Sequence, residues 1–271
     1  MGDRRVLLVA SPEVAIFGYD GVVSFASVQD TVDAVPLNNQ VRTIIRIGPG
    51  VHRQQVHIPK TKNFITLCGS PIKDTVICWD NTTTRIKYTQ SSQDIGTGTL
   101  NSATVIVEGD DFIVENVIFK NSAPQVSGQQ QQYLALSVHY LWYSNLLCKI
   151  IQETLHLHDG KQFLKNCYIE GNYDFIFGDS TALLEHCHIH CKSAGYITAH
   201  GRKSSSESTG FVFFKCSGPG SSISERVPWC KELFGDEAIP FLIQTFIDPD
   251  IENPWLVHRL GTQVPVSASS P

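Results

Sequence analysis

Four stretches of this chain share a short pattern: residues 112–119 (FIVENVIF), 163–169 (FLKNCYI), 183–189 (LLEHCHI) and 212–216 (VFFKC). Most of them have an apolar pair, then one or two polar residues, then a small apolar residue. Equivalent positions recur at intervals of about 20 to 30 residues, a period typical of solenoids. Long helical patterns between the strands are absent, which argues against βαβ folds. The repeat predicts an all-β fold, a parallel β-helix whose coils bury inward-facing residues against their neighbours.

The two ends of the chain differ from this repeat. Residues 27–35 place three valines at helical spacing, and Ser27 followed by Asp30 resembles a capping box. They predict a short N-terminal helix that caps the open end of the coil stack. After Cys216, a Gly/Ser-rich linker and a mixed charged and apolar segment predict an irregular, partly helical C-terminal tail. We expect this tail to pack on the solenoid surface or to be poorly ordered.

These features divide the chain into three parts. We predict an N-terminal extension (1–23), a β-helix (24–216), and a linker with the C-terminal tail (217–271). Residues 1–10 resemble a signal peptide only weakly, because Pro12 and Glu13 soon interrupt the apolar run and no convincing cleavage site follows. No uninterrupted run of about 18 apolar residues occurs, so no membrane span is expected.

Composition restricts the possible partners. The 271 residues are 42% hydrophobic and 17% charged, which suffices for a sizeable core. The formal net charge of -5 argues against a general nucleic-acid binder and fits a neutral ligand better than a strongly anionic polymer. The eight cysteines include no CxxC pair, so a zinc ribbon is not expected. Several lie in apolar runs, which predicts buried core thiols.

The stretch 174–178 (DFIFG) is the first candidate for chemistry. Aspartate is disfavoured in strands and is almost never buried without a partner, so Asp174 at the head of an aromatic and aliphatic strand is unusual. The alternative is an ordinary turn aspartate after Gly171 and Asn172 that accepts backbone N–H groups. Spacing alone favours this alternative.

Residues 152–155 (QETL) are the second candidate, about one coil before Asp174. One coil of separation places Glu153 and Asp174 on adjacent rungs, roughly 4.8 Å apart. Paired carboxylates suit acid/base chemistry because their repulsion separates their protonation equilibria. Gln152 offers an amide donor for an oxyanion. The alternative is a solvated polar turn, and the run at 129–132 (QQQQ) is by itself also a polar loop.

Alternating histidines offer a competing reading. His186, His188 and His190 alternate along one segment, and His156 and His158 alternate in an earlier coil. Such spacing can hold a metal ion. The alternative is that Cys187, Ile189 and Cys191 point into the core and the histidines point outward. We favour the alternative, since no carboxylate or cysteine shares the histidine face.

Together these residues resemble the plant pectin methylesterase (pectinesterase) family. The resemblance runs from about Ser24 to Cys216, and residues 226–267 resemble the C-terminal tail of one branch of that family. Its motifs are 47–53 (IGPGVHR), 121–124 (NSAP), 171–178 (GNYDFIFG), 196–202 (YITAHGR) and 208–210 (STG). The resemblance implies a right-handed parallel β-helix and a carboxylic ester hydrolase that converts methyl-esterified galacturonan (pectin) to pectate and methanol.

The resemblance also implies roles for individual residues. Asp174 matches the nucleophile and Glu153 matches an aspartate that acts as acid and base. Gln152 and Gln132 match the two oxyanion donors. Gln132, together with Phe177 and His200, is also expected to bind substrate. No cofactor or metal is implied, and the expected partner is pectin rather than nucleic acid.

Four positions depart from the family pattern. Glu153 is one methylene longer than aspartate, and Ile150 and Ile151 replace the usual Gly-Trp before the glutamine. His200 replaces a glutamine. The Gly-Arg-Pro-Trp motif is absent, as though several coils were skipped after Cys216, while residues 226–229 (RVPW) match the tail instead. The missing arginine normally pairs with the nucleophile, and removing one partner of a buried ion pair costs about 3–5 kcal/mol.

Three functions therefore stay in competition. The first, which we predict, is a pectinesterase active in pectin catabolism and cell wall modification. The second is a catalytically impaired, pectin-binding β-helix that lacks the Gly-Arg-Pro-Trp segment. The third is a polysaccharide lyase of the same fold, which needs an acidic calcium cluster that is not evident near Asp174. The substrate implies secretion to the cell wall, and we expect a monomer.

Overall fold

The structure is a computed structural model that describes residues 5–9, 24–81, 102–123, 136–138, 141–143, 149–151, 155–192, 195–218, 227–228, 230–242 and 246–247. Three of these ranges, 136–138, 141–143 and 149–151, are described by their backbone.

The described strands form three parallel sheets, and we number them in chain order. Sheet A contains β1 (Arg5–Val9), β2 (Ser24–Phe25), β3 (Thr43–Ile47), β6 (Ile65–Cys68), β9 (Phe112–Glu115), β12 (Leu141–Tyr143), β15 (Lys161–Lys165), β18 (Thr181–Glu185) and β21 (Gly210–Phe214). Sheet B contains β4 (Gly50–Arg53), β7 (Thr75–Trp79), β10 (Ile118–Asn121), β13 (Lys149–Ile151), β16 (Tyr168–Gly171) and β19 (His188–Cys191). Sheet C contains β5 (Val56–Ile58), β8 (Val105–Val107), β11 (Leu136–Val138), β14 (Leu155–Leu157), β17 (Ile176–Gly178) and β20 (Thr198–His200).

Each coil contributes one strand to each sheet. The strands β15, β16 and β17 make one coil, and β18, β19 and β20 lie directly on them in parallel register. This arrangement is a parallel β-helix, as the repeat predicted.

The core lies between the three sheets and consists of columns of inward-facing side chains. In sheet A, Ile45 is in register with Leu67, and Leu67 with Val114. Further along the same sheet, Leu164 is in register with Leu184. All five side chains are fully buried. Each coil is therefore covered by its neighbours, which explains why the sequence repeats apolar residues at coil spacing.

In four coils, the corner between sheets A and B is formed by a single residue with positive φ. Asn116, Asn166, His186 and Lys215 have φ between 52° and 56°, and each follows a sheet A strand. Asparagine tolerates this conformation better than most residues. The next residue in the chain then turns inward, and Cys167 and Cys187 are buried there.

The prediction of buried thiols is confirmed for Cys78, Cys167 and Cys187. Three other cysteines are half-buried: Cys68, Cys191 and Cys216. The prediction is wrong for Cys230, which is exposed because its segment packs on little of the solenoid. Cys148 lies outside the described residues.

The N-terminal cap is confirmed. Helix α1 (Val28–Asp33) begins after Ser27, whose hydroxyl accepts the Asp30 N–H, and it buries Val28 and Val32. The Lys62 ammonium donates to the carbonyls of Val32, Asp33 and Val35, which satisfies groups at the C-terminal end of the helix. Part of the predicted extension is a strand, since β1 pairs with β3 along Arg5–Val9.

The C-terminal tail returns to the solenoid. Its 3-10 helix, Gly235–Phe241, buries no residue. Beyond it, Ile247 is fully buried against Ile113, Phe163 and Leu183 on the outer face of sheet A. The expectation that the tail is partly helical and packs on the solenoid is thus met where the structure describes it. Within the described ranges, no helix has the length and apolar character needed to cross a membrane.

Candidate active site

Asp174 lies in the turn between sheets B and C, after β16 ends at Gly171 and before β17 begins at Ile176. Its φ is 47°, and its N–H donates to the Tyr196 carbonyl in the next coil at 2.7 Å. The residue is exposed. No N–H of a described residue donates to its carboxylate, whereas an ordinary turn aspartate accepts such groups. The carboxylate instead faces the solvent, where a substrate can reach it.

The residues around Asp174 fix this turn. Phe175 is fully buried, and its carbonyl accepts the Leu155 N–H at 2.6 Å. A methyl group at Gly171 would lie 2.3 Å from Phe175, so only glycine leaves room for this ring. The Ile176 N–H donates to Ile197 in the next coil. Coils on both sides therefore hold the backbone that presents the Asp174 carboxylate.

The strand β14 lies directly beside β17. Leu155 is in register with Ile176, and His156 with Phe177. The other predicted catalytic residues, Glu153, Gln152 and Gln132, lie outside the described residues, as does the whole run 129–132. Their placement stays a prediction.

Phe177, a predicted substrate-binding residue, is half-buried on the outer face of sheet C. Its ring stacks on His156, with centroids 4.5 Å apart and planes 26° apart. It also packs against Ala103 and Ile106. From the sequence, His156 was considered only as a possible metal ligand, and its stacking on Phe177 was missed. A signal was present: His156 comes three residues after Glu153, and Phe177 comes three residues after Asp174.

His200, the third predicted substrate-binding residue, is half-buried at the end of β20. Its Nδ1 accepts the Arg202 N–H at 2.9 Å, and its Nε2–H donates to the Ser180 carbonyl at 3.0 Å. Its ring meets Phe211 edge-on, at 4.4 Å between centroids. Both ring nitrogens therefore hold the corner of the last coil.

The Asp174 carboxylate has no counter-charge within the described part of the chain. Arg202, the arginine of the 196–202 motif, donates to the carbonyls of Ser204, Ser205 and Thr209. This guanidinium closes its own loop and does not replace the arginine that the sequence lacks. Arg226 lies outside the described residues.

The histidines of β19 face outward, as the alternative reading predicted. His188 and His190 are exposed and stack on Tyr168, while Ile189 and Cys187 are buried. His186 does not share their strand face, because it is the positive-φ residue of the corner. His156 is also not on an open face, since Phe177 covers it. No group of three or more His, Cys, Asp or Glu side chains among the described residues could hold a metal ion.

Sequence comparison identifies relatives along most of the chain. The sequence model of the family described as Pectinesterase matches residues 14–217. Pectinesterase 31 of Arabidopsis thaliana is 43% identical over an alignment of 320 positions, which covers 96% of this chain and all of that protein. A pectinesterase of Daucus carota is 34% identical over 212 residues, 76% of this chain and 62% of its own length.

Solved structures agree with the sequence comparison. A carrot pectin methylesterase superposes with a TM-score of 0.60 at 30% identity, over 80% of this chain and 64% of that chain. A pectin methylesterase from Aspergillus niger gives a TM-score of 0.60 at 28% identity over 81% of this chain and 69% of its own. The fold and the comparisons thus define a parallel β-helix similar to carboxylic ester hydrolases. This chain belongs to the pectinesterase family.

The comparisons also show that the chain is shortened. It spans about two thirds of the length of the carrot structure. The alignment with Pectinesterase 31 is 320 residues long, whereas this chain has 271. The relative therefore contains internal residues that this chain lacks.

Proposed function

We propose that this chain hydrolyses the methyl esters of galacturonan, releasing methanol and leaving pectate. The observation that carries the proposal is the exposed Asp174 carboxylate, held on a corner that coils on both sides fix. The register of β17 on β14 supports a second carboxylate next to it. That register joins residues 21 positions apart, such as Leu155 and Ile176, and the same interval separates Glu153 from Asp174.

In the proposed reaction the Asp174 carboxylate attacks the carbonyl carbon of the methyl ester. The amides of Gln152 and Gln132 donate to the oxygen that gains negative charge. Protonated Glu153 gives its proton to the methoxy oxygen as the C–O bond breaks, so methanol leaves and an acyl-enzyme remains. Glu153 then takes a proton from water, which attacks the acyl carbon and frees Asp174.

Phe177 supports the sugar in this proposal. An aromatic ring that is half-exposed and backed by His156 offers a fixed apolar surface beside the reacting carboxylate. His200 acts through the backbone, because its two nitrogens hold Arg202 and Ser180. The ligand is a neutral, highly methylated galacturonan, which suits the net charge of -5. Such a substrate places the protein in the cell wall, and nucleic acid is not a partner.

The test is methanol release from highly methylated pectin by the folded chain and by Asp174→Asn. We expect release by the parent and at least a 10³-fold lower rate in the variant, on the order of the loss when a nucleophile is removed. The matched control is Asp74→Asn, which changes another exposed aspartate, in the turn before β7. It should keep the parental rate.

Two outcomes contradict the proposed activity, and a third contradicts the proposed nucleophile. If the folded parent releases no methanol, the chain is a pectin-binding pseudoenzyme or binds no pectin, and a binding assay with methylated oligogalacturonide separates these. Ultraviolet-absorbing unsaturated product instead of methanol indicates a lyase. Equal rates for the parent and Asp174→Asn remove Asp174 from the mechanism while leaving the esterase activity in place.

A further inference from the structure

The last coil of the solenoid leaves core positions open to solvent. Phe213 is in register with Leu184 and continues its inward-facing column. Leu184 is fully buried, whereas Phe213 is 39% exposed. Phe211 occupies the position above Ala182 and is only half-buried. The difference arises because β21 covers β18, while no described strand covers β21.

The backbone of β21 is also open on this side. The Gly210 N–H donates to Ser180, and the Phe214 carbonyl accepts the His186 N–H, so these groups face β18. Donors and acceptors of neighbouring residues alternate between the two sides of a strand. Phe211 and Phe213 therefore direct their N–H and C=O groups away from β18, where no described strand pairs with them.

The sequence of β21 does not protect this edge. Residues 210–214 (GFVFF) contain no charge and no proline, the two usual means by which edge strands avoid association. The opposite end of the stack is different, because α1 covers it and buries Val28 and Val32 there. A second copy stacked head-to-tail would meet this helix, whereas the β21 of a second copy offers the same open edge and the same apolar side chains.

We propose that two copies of this chain associate through β21 into a closed two-fold dimer. The two β21 strands run antiparallel with Val212 at the centre. In this register Phe211 lies opposite the partner's Phe213, and Phe213 opposite the partner's Phe211. Both pairs have free N–H and C=O groups directed toward each other, so each forms two hydrogen bonds.

The same register joins the two cores. Phe211 and Phe213 both occupy inward-facing positions, so their rings meet the equivalent rings of the second copy. Association therefore buries the apolar end that the last coil exposes and pairs its edge. The contact is isologous and closes on itself, so it yields a dimer rather than a fibre. This inference departs from the monomer expected from the sequence.

The test is light scattering coupled to size-exclusion chromatography on the full chain. We expect a mass twice the 30.0 kDa of one chain, falling to 30.0 kDa for Phe213→Lys with an unchanged circular dichroism spectrum. The matched control is Ile72→Lys, which places the same charge on a side chain that is 90% exposed in a turn. This control should stay dimeric.

A pair of proline variants separates the interface from folding. Phe213→Pro removes an N–H that points away from β18, so it should give a folded monomer. Val212→Pro removes an N–H that bonds to β18 and should lower the melting temperature. A parent of 30.0 kDa at all concentrations, a polydisperse assembly, or a folded Phe213→Pro that remains dimeric each overturns the proposal.

Discussion

At the corner between sheets A and B, a residue with positive φ recurs in four coils, as Asn116, Asn166, His186 and Lys215. At the corner between sheets B and C, the described residue with positive φ is Asp174. The backbone conformation is similar, and it costs a residue other than glycine roughly 1–2 kcal/mol in both places. Recurrence at four described corners indicates a demand of stacking. Among the described corners between sheets B and C it occurs once, with an exposed carboxylate, and we interpret that residue as a position kept for chemistry.

The variant with the largest expected effect changes Asp174 and tests whether this residue serves chemistry or the fold. Asp174→Gly removes the carboxylate but suits the positive φ better than aspartate does. We expect methanol release to fall at least about 10³-fold while the melting temperature stays equal or rises. Both are measured on one preparation, by methanol assay and by thermal unfolding. A fall in melting temperature with activity retained would assign Asp174 to the fold instead.

Gly178, at the other end of β17, tests how rigidly the same strand is held. A methyl group there would lie 1.9 Å from the Leu157 carbonyl oxygen, and φ is 127°. We expect Gly178→Ala to lower the free energy of unfolding by about 3 kcal/mol or more. Urea denaturation measures this.

The control for Gly178 is Gly210→Ala. The nearest atom to the added methyl group is 3.6 Å away, so the unfolding free energy should change by less than about 0.5 kcal/mol. Similar losses in both variants would mean that the contact at Leu157 is not the cause.

A substitution at Asn116 tests whether the positive-φ residue between sheets A and B serves stability alone. Asn116→Ala keeps φ at 56° but replaces a residue that tolerates this region with one that does not. We expect a loss of about 1 kcal/mol in unfolding free energy and an unchanged rate of methanol release. Denaturation and the methanol assay check the two parts. A reduced rate in the folded variant would show that the two corners are coupled and would weaken the comparison.

The sequence was sufficient for the fold because coil stacking imposes the same apolar pattern on every rung, as in residues 163–169 and 183–189. It also made Asp174 a candidate, because an aspartate at the head of an aromatic and aliphatic strand is unusual. Spacing alone favoured an ordinary turn aspartate, and the catalytic role of Asp174 stays a prediction that the family resemblance implies. It failed for His156 and His186, whose surroundings depend on register and on a positive φ rather than on alternation. It also gave no sign that Phe213 is exposed, because exposure there depends on which coil follows.

The smallest expected effect is on stability, and it comes from a comparison of two carboxylates of one coil, Glu170 and Asp174. Their difference is tested by varying the pH. Glu170 accepts from the Lys192 ammonium and the Tyr168 hydroxyl, both at 2.7 Å, whereas Asp174 has no such partner among the described residues. Burial alone would raise the pKa of Glu170, but the hydrogen bonds from Lys192 and Tyr168, together with the charges of Lys192 and His190, lower it below its ordinary value of 4.5. A carboxylate with a lowered pKa stabilises the fold above the unfolded-state pKa, and this contribution disappears as pH falls through the folded-state pKa.

We therefore expect Glu170→Gln to cost about 1 kcal/mol of unfolding free energy at neutral pH, and the difference from the parent to shrink as the pH falls below 4.5. Urea titrations of the parent and the variant across this range measure the difference directly. Asp174→Asn is the matched control, because an exposed carboxylate without a partner should change stability little at any of these pH values. A pH-independent loss in Glu170→Gln would mean that packing rather than charge makes Glu170 matter, and the contrast between the two carboxylates would then rest on Asp174 alone.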